Sequence, residues 1–274
     1  MITDIALAPR NANNKVQYTT NFYILRPVNR DAGNHRIFFE LANRGVVLSL
    51  GQLNDAPTAW PPGIVPKNAV DAGNGFLMRQ GYTIVMGGWD ATVASFPGAL
   101  RTTVPIAKNL DGSPIVDPAL EEFVIDNATT STGSLTYPAA TLDKSKATLT
   151  VRILYEDSHT VVPPANWEYV NAQTIRLLDN NGNPTPFTLG RLYEFTYQAT
   201  NPLVLGLGFA AVRDLTAFFR YATTDDYGNP NPLAGDVQYV YAFGVSQPAR
   251  LLHDFLHLGY EFSGFASEVW VVAQ

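Results

Sequence analysis

There is no cysteine among the 274 residues. That excludes a disulfide framework, a thiolate nucleophile and any cysteine-based metal site, and it leaves the redox compartment unread. Charge is sparse as well: Asp, Glu, Lys and Arg make up 15% of the chain, and 18 basic against 24 acidic residues leave a net charge of -6. Nothing in that balance attracts a phosphate backbone or an anionic bilayer, so neither nucleic acid nor membrane is expected as a partner, and small neutral substrates stay open. Long apolar runs are missing too. The longest, "PLVLGLGFAAV", falls far short of a bilayer span, and the opening "MITDIALAPR" has no basic region followed by an apolar core. Histidine is scarce, with only four.

What is present is enough apolar sequence, 46%, to bury a substantial core in one large domain or two modest ones. Three zones differ in texture. Up to about residue 102, "YTTNFYILRPV" and "RIFFELA" read as strands, and "GNGFLMRQGYTIVMGGWD" reads as a short helix, a stop at Gly81 and a buried strand. From 103 to 200, Leu149, Val151, Ile153 and Tyr155 alternate with more polar neighbours, as do Tyr193, Phe195 and Tyr197, with turn residues clustered in "DNNGNPTP". This zone reads as an antiparallel β insertion. From 201 to 274 the αβ rhythm returns: a helix through "FAAVRDLTAFFRYA", a polar loop at "TTDDYGNPNPLAGD", the strand "VQYVYAFG" and a further helix. The fold class expected is therefore α/β, with a core of 1–102 and 201–274 around the insertion. No internal repeat is visible.

The last strand meets its helix at one serine, in "YVYAFGVSQPARLLHDFLHLGY". A serine hydroxyl is a weak nucleophile unless a base takes its proton and the backbone presents it free of its own secondary structure, which a tight strand-to-helix turn achieves. Gly244 and Ala249 are small, as such a turn requires. The helix that starts at Ser246 would direct its amino-terminal N–H groups at a developing oxyanion, with Gln247 as first donor. The alternative is a buried serine that caps a helix. "GVSQP" alone leaves both readings open, because Pro248 stands where the common Gly-x-Ser-x-Gly pattern has its last glycine.

The wider stretch resembles the nucleophile elbow of the α/β-hydrolase superfamily, and more narrowly that of the large bacterial alpha/beta hydrolase domain proteins, whose elbow runs Gly-x-Ser-Gln-x-Gly-Arg before an apolar helix. "GVSQPARLLHDFLHLGY" fits with Ala249 in place of the second glycine and Arg250 retained. The resemblance extends, in order, to "LAPRNANNKVQYTTNFYILRPV", "FFELANRG", "GYTIVMGGWDA" and "GLGFAAVRDLTAFFRY". It implies a mostly parallel sheet with helices on both faces, and a serine hydrolase of carboxylic esters acting through an acyl-enzyme on Ser246. It also implies a second oxyanion N–H from the loop Asn43, Arg44 and Gly45, where Gly45 would let backbone approach substrate. Gly88 and Trp89, at the carboxyl end of "YTIVMGGWD", become substrate-pocket candidates, with Trp89 as a wall or else as core. Trp167 and Tyr193 of the insertion could equally be core or an aryl-binding wall.

Three other patterns compete. "GLGFAA" with Asp225 and Asp226 downstream imitates a dinucleotide fingerprint, but the strand it needs is short and interrupted by proline. "HDFLH" places His253 and His257 four apart on a helix like a weakened zinc pair, with no third ligand evident. His159 in "YEDSHTVVPP" follows Glu156 and Asp157 but reads as a solvated loop residue. No metal and no cofactor is expected.

The catalytic base is the gap in this reading. The superfamily places acid and histidine after the nucleophile, yet only His253 and His257 follow Ser246, both on the elbow helix, and "EFSGFASEVWVVAQ" matches nothing in the family. The resemblance thus implies that acid and base lie in a C-terminal part beyond this sequence. The expected partners are a small ester substrate and either a polypeptide that completes the sheet or a second copy. The alternative is a non-catalytic relative that keeps the fold as a ligand-binding module.

Overall fold

The computed structural model describes residues 2–57 and 66–260. The chain divides into two compact units: one comprises Met1–Thr3, Arg10–Pro105 and Val204–Gln274, the other Asp4–Pro9 and Ile106–Leu203. In chain order the first unit holds β1 (Thr19–Thr20), β2 (Phe22–Leu25), β3 (Arg36–Leu41), α1 (Ser49–Leu53), α2 (Phe76–Arg79), β4 (Thr83–Gly87) and β5 (Thr102–Thr103). The second contributes β6 (Val116–Val124), β7 (Thr132–Ser134), β8 (Thr148–Arg152), β9 (Thr160–Val161), β10 (Trp167–Asn171), β11 (Thr174–Leu178), β12 (Pro184–Thr185) and β13 (Leu192–Thr200). The chain then returns to the first unit for α3 (Leu207–Tyr221), β14 (Tyr239–Phe243) and α4 (Gln247–His257).

The first unit is built on a four-stranded sheet in the order β14-β3-β4-β2. β14, β3 and β4 run parallel, with Tyr239 opposite Arg36 and Ile37 opposite Thr83, and β2 closes the sheet antiparallel to β4. β4 is buried along its whole length, which is why "TIVMG" is a continuous apolar run and not an alternating one. Ile37, Phe39, Val85 and Val240 pack with Val212, Leu215 and Phe219 of α3 and Leu251, Leu252 and Phe255 of α4 into one core. The helix periodicity explains this. In α3, Leu207, Ala211, Leu215 and Phe219 fall four apart on the buried face. The carboxyl end of α3 is closed by the buried Asn231, whose amide donates to the carbonyls of Phe218, Phe219 and Ala222.

The second unit is wholly antiparallel in its described strands. β6-β13-β8-β9 form one sheet, and β10-β11-β12, with β7 on β11, form another. Trp167, Phe187, Tyr193, Phe195 and Tyr197 fill the core with Leu149, Ile175 and Leu177, so Trp167 and Tyr193 are core residues and not a binding wall. The alternation in 193–197 lies within β13. Of the second alternating run, Ile153 and Tyr155 fall beyond β8 and are exposed.

The expected fold class is corrected here. The chain is mostly β, with 29% of it in strands, 19% helical and four α-helices among the described residues, so it is not an α/β protein with a mostly parallel sheet and helices on both faces. Three of the four described sheets are purely antiparallel, and parallel pairing is confined to β14, β3 and β4. The physical reason lies between β3 and β4. A parallel crossover normally carries a full helix, but that connection is rich in Pro, Gly and Asn, and its described helices α1 and α2 have five and four residues. Leu50 and Leu77 cover Ile84 and Met86 on that face, while both long helices feed the other core.

Candidate functional site

Ser246 is the residue between β14 and α4, and its backbone is at φ 64°, ψ -117°. Only glycine adopts that region without cost, so a serine there is held by its surroundings. The local packing supplies the constraint. A Cβ on Gly244 would lie 2.8 Å from the Pro248 carbonyl carbon and 3.0 Å from the Ala249 nitrogen, so the strand and helix touch backbone to backbone two residues either side of the serine. Pro248 in the first turn needs no N–H partner there. Ser246 is exposed, and its side chain makes no capping hydrogen bond to α4. The capping role is thus unused, and the hydroxyl stands free at the amino end of an eleven-residue helix.

The loop after β3 is brought to the same corner. Asn43 Nδ2 donates to the Val245 carbonyl at 3.0 Å, one residue before Ser246. Asn43 and Val46 exchange both backbone bonds, at 2.9 and 3.0 Å, around Arg44 at φ 49° and Gly45 at φ 84°. Two positive φ values make this a tight primed turn. The Asn43 N–H is therefore spent inside the turn, whereas the amides of Arg44, Gly45 and Gln247 make no backbone hydrogen bond. Gly45 has a packing reason of its own: a Cβ there would sit 2.8 Å from Val93 Cγ1. Gln247 buries its side-chain Oε1 without a hydrogen-bond partner.

The pocket candidates are placed differently. Gly88 is buried, donates its N–H to the Asn21 carbonyl at 2.9 Å and would drive a Cβ to 2.3 Å from the Arg101 nitrogen. Its amide is unavailable to a substrate. Trp89 packs against the first core and donates Nε1 to the Ala42 carbonyl at 2.8 Å, so it braces the loop before Asn43. The glycine pattern "GLGFAA" has a packing explanation as well, since a Cβ on Gly208 would meet the Trp89 carbonyl at 2.6 Å.

One member of the neighbourhood has no counterpart in the sequence reading. Glu40, on β3 opposite Phe243 of β14, is 1% exposed. Its carboxyl accepts from the Leu48 N–H at 2.5 Å, from the Ser49 N–H at 3.0 Å and from the Ser49 hydroxyl. Burial pushes its pKa up to about 7, against the pull of those three hydrogen bonds. Glu40 so ties the start of α1 to the end of β3 and closes the loop that carries the Arg44–Gly45 turn. The signal was legible: a lone acid inside the apolar run "RIFFELA".

No described histidine of this unit reaches Ser246. His35 precedes β3 and pairs with Asp236 at 2.8 Å, at the amino end of the parallel strands, about 20 Å from a residue beyond their carboxyl end. His253 and His257 lie on the exposed face of α4, about two and three turns from the serine. His159 belongs to the second unit, with Nδ1 3.0 Å from Glu194 Oε2. No group of three potential metal ligands occurs among the described residues, and no described helix is long and apolar enough to cross a membrane. "EFSGFASEVWVVAQ" lies outside the described residues. No protein-family model matches the chain, and neither a curated protein nor a solved structure matches it.

Proposed function

We propose that Ser246 is the nucleophile of a serine hydrolase acting on carboxylic esters. The observation that carries this reading is the strained, uncapped and exposed serine at φ 64°, ψ -117° between the strand β14 and the amino terminus of α4. Strain of that kind persists in a fold where the position has work to do. Ser246 Oγ attacks the ester carbonyl carbon as its proton passes to a base, and the carbonyl oxygen takes the negative charge. The Gln247 amide and the Arg44–Gly45 turn, which Asn43 ties to the elbow, are the donors proposed for that oxygen. Collapse expels the alcohol, which recovers the proton, and water then cleaves the acyl-enzyme by the same route.

The base in this proposal comes from outside the described residues. β14 pairs with β3 and has no other partner strand among the described residues, which leaves pairing groups open beside Ser246. A second polypeptide that adds a strand there is the proposed source of acid and histidine, and without it the chain is inactive and its open edge favours self-association. The competing reading, a non-catalytic ligand-binding module, is favoured by the distance of every described histidine of this unit from the serine. A fluorophosphonate probe separates the two. Labelling at Ser246, lost in Ser246→Ala, supports the hydrolase, and a folded protein that never reacts, with or without its natural partner, rejects it.

A further inference from the structure

The open edge of the first sheet presents a defined set of backbone groups. In the parallel ladder between β14 and β3 the Gln238 N–H bonds the His35 carbonyl at 2.8 Å, and every second residue of a parallel strand repeats that choice of side. The backbone groups of Val240 and Ala242 therefore face β3. Those of Tyr239, Tyr241 and Phe243 face outward, where β14 has no partner strand among the described residues. Nothing guards this edge. "YVYAF" contains no charge and no proline, whereas β6, at the edge of a sheet in the second unit, carries Pro118 with Asp117, Glu121 and Glu122. Charge does not oppose pairing either: the basic and acidic residues of the first unit balance, and the net charge of -6 falls on the second.

The two ends of that edge hold complementary halves of a catalytic group. Ser246 stands five residues past Tyr241, and Asp236 stands five residues before it. Asp236 is paired with His35, Oδ1 to Nδ1 at 2.8 Å, with side chains 12% and 39% exposed, so the carboxylate is sheltered and the imidazole reaches solvent. A carboxylate on Nδ1 holds the proton there and leaves Nε2 as the free base of the ring. Within one chain the length of the strand separates this pair from the serine, but a two-fold axis removes the separation. When β14 pairs antiparallel with β14 of a second copy about Tyr241, the two Tyr241 residues face each other, each Tyr239 faces a Phe243, and all three outward-facing residues exchange both backbone bonds. The same register sets Ser246 of one copy opposite Asp236 of the other. Opposed backbones in a ladder lie about 5 Å apart, and His35 is one strand spacing, about 5 Å, further in, with its ring turned back to Asp236.

We infer that the chain forms an isologous dimer through β14, in which His35 and Asp236 of each copy serve Ser246 of the other. The inference rests on the hydrolase reading of Ser246 and names a second copy of this chain as the polypeptide that completes the site. His35 Nε2 takes the Ser246 proton as Oγ bonds to the ester carbonyl carbon, and gives it to the alcohol as the C–O bond breaks. Water then cleaves the acyl-enzyme with Nε2 taking its proton and returning it to Oγ. Asp236 positions the ring and balances the charge of the imidazolium. Each dimer carries two such sites.

The test is complementation between two inactive variants of the whole chain. His35→Asn removes the base with a residue that tolerates the φ of 57° found there, and Ser246→Ala removes the nucleophile. Each alone should turn over a short-chain p-nitrophenyl ester only at background. Mixed in equal amounts and left to exchange, they should regain about a quarter of the unaltered activity, since half of the dimers are mixed and each of these holds one complete site of two. In sedimentation the unaltered chain should be a dimer. Tyr239→Lys, a charge on the pairing edge, should dissociate it and lower ester turnover in step, a measurement that stands even if His35→Asn fails to fold. A chain that stays monomeric at about 100 μM, a His35→Asn variant that keeps its activity, or an inert mixture beside an active unaltered chain would each overturn the inference, and labelling of Ser246 by a fluorophosphonate would then still uphold the hydrolase reading. A dimer whose Ser246 never labels would overturn both.

Discussion

Replacing Ser246 by glycine should make the protein more stable, and replacing it by alanine should change almost nothing. At an ordinary helix start both changes are losses, about 1 kcal/mol for a capping hydroxyl replaced by alanine and only a few tenths for glycine. Ser246 makes no capping bond, so alanine, which keeps the Cβ and the strain, should fall within about 0.5 kcal/mol of the parent. Glycine releases a backbone strain of about 1–3 kcal/mol and concedes about 0.5–1 kcal/mol to the freer unfolded chain. The net gain is about 1 kcal/mol. With a urea dependence of about 2–3 kcal/mol per molar, the midpoint of the unit that holds Ser246 should rise by about 0.3–0.5 M. Urea unfolding of the three proteins, followed by circular dichroism, measures it. A loss of about 1 kcal/mol in Ser246→Ala with a smaller loss in Ser246→Gly would show that the serine is a cap, and a glycine variant less stable than the alanine variant would show that the position carries no backbone strain.

Three further outcomes follow from neighbouring residues. Because the folded pKa of Glu40 is raised from 4.5 to about 7, its contribution to stability is fully present below about pH 4.5 and is lost as pH rises through about 7, a span worth about 3 kcal/mol; Glu40→Gln should flatten that part of a stability-against-pH profile, and an unaltered slope would put the titration elsewhere. The depressed carboxyls of Asp111, Asp143, Asp179 and Asp225 act in the opposite sense and at lower pH, so the two effects are separable. Gly244→Ala pushes a methyl against the backbone of Pro248 and Ala249 and should cost about 1–3 kcal/mol while reducing probe labelling of Ser246; full stability with full labelling would refute the close packing of strand on helix. In the second unit, Arg152 and Glu194 pair at 2.6 Å with side chains 6% and 7% exposed, so Arg152→Ala should cost about 3–5 kcal/mol, and Arg152→Met with Glu194→Leu markedly less, as thermal unfolding of the variants would show.

The legible parts of the fold were those decided by local pattern. The helix periodicity of α3, the alternation of β13 and the uniform burial of β4 each have one physical reading, and the corner at Ser246 follows from a small residue on either side of it. The fold class was not legible, because strand and helix signals do not say which strands pair. The rhythm of "RIFFELA", "YTIVMGG" and "VQYVYAFG" holds for three parallel strands, while the antiparallel strands of 103–200, with β1, β2 and β5, outweigh them. Glu40 stands in plain view, but its role depends on Leu48 and Ser49 coming back to it through a loop that periodicity cannot trace. Asn43 reaching Val245 is likewise a contact across some two hundred positions, and Gly88, which seemed an open strand end, is closed by Asn21 from a different strand.

The division of the chain also bears on how it folds. Residues on β3 and β4 must wait for β14, and roughly a hundred residues intervene between the departure at Pro105 and the return at Val204. Left unstructured, a loop of that length costs about 4 kcal/mol to close. Folded, it has its ends side by side, since Ile106 bridges Leu203 and the Ala107 N–H bonds the Pro202 carbonyl at 2.9 Å, and to the first unit it is then no longer than a tight turn, a saving of about 3 kcal/mol. During synthesis the insertion is also the first part to be complete in sequence. It should acquire structure early, before β14 exists to pair with β3, and the Ser246 corner should be among the last pieces to lock.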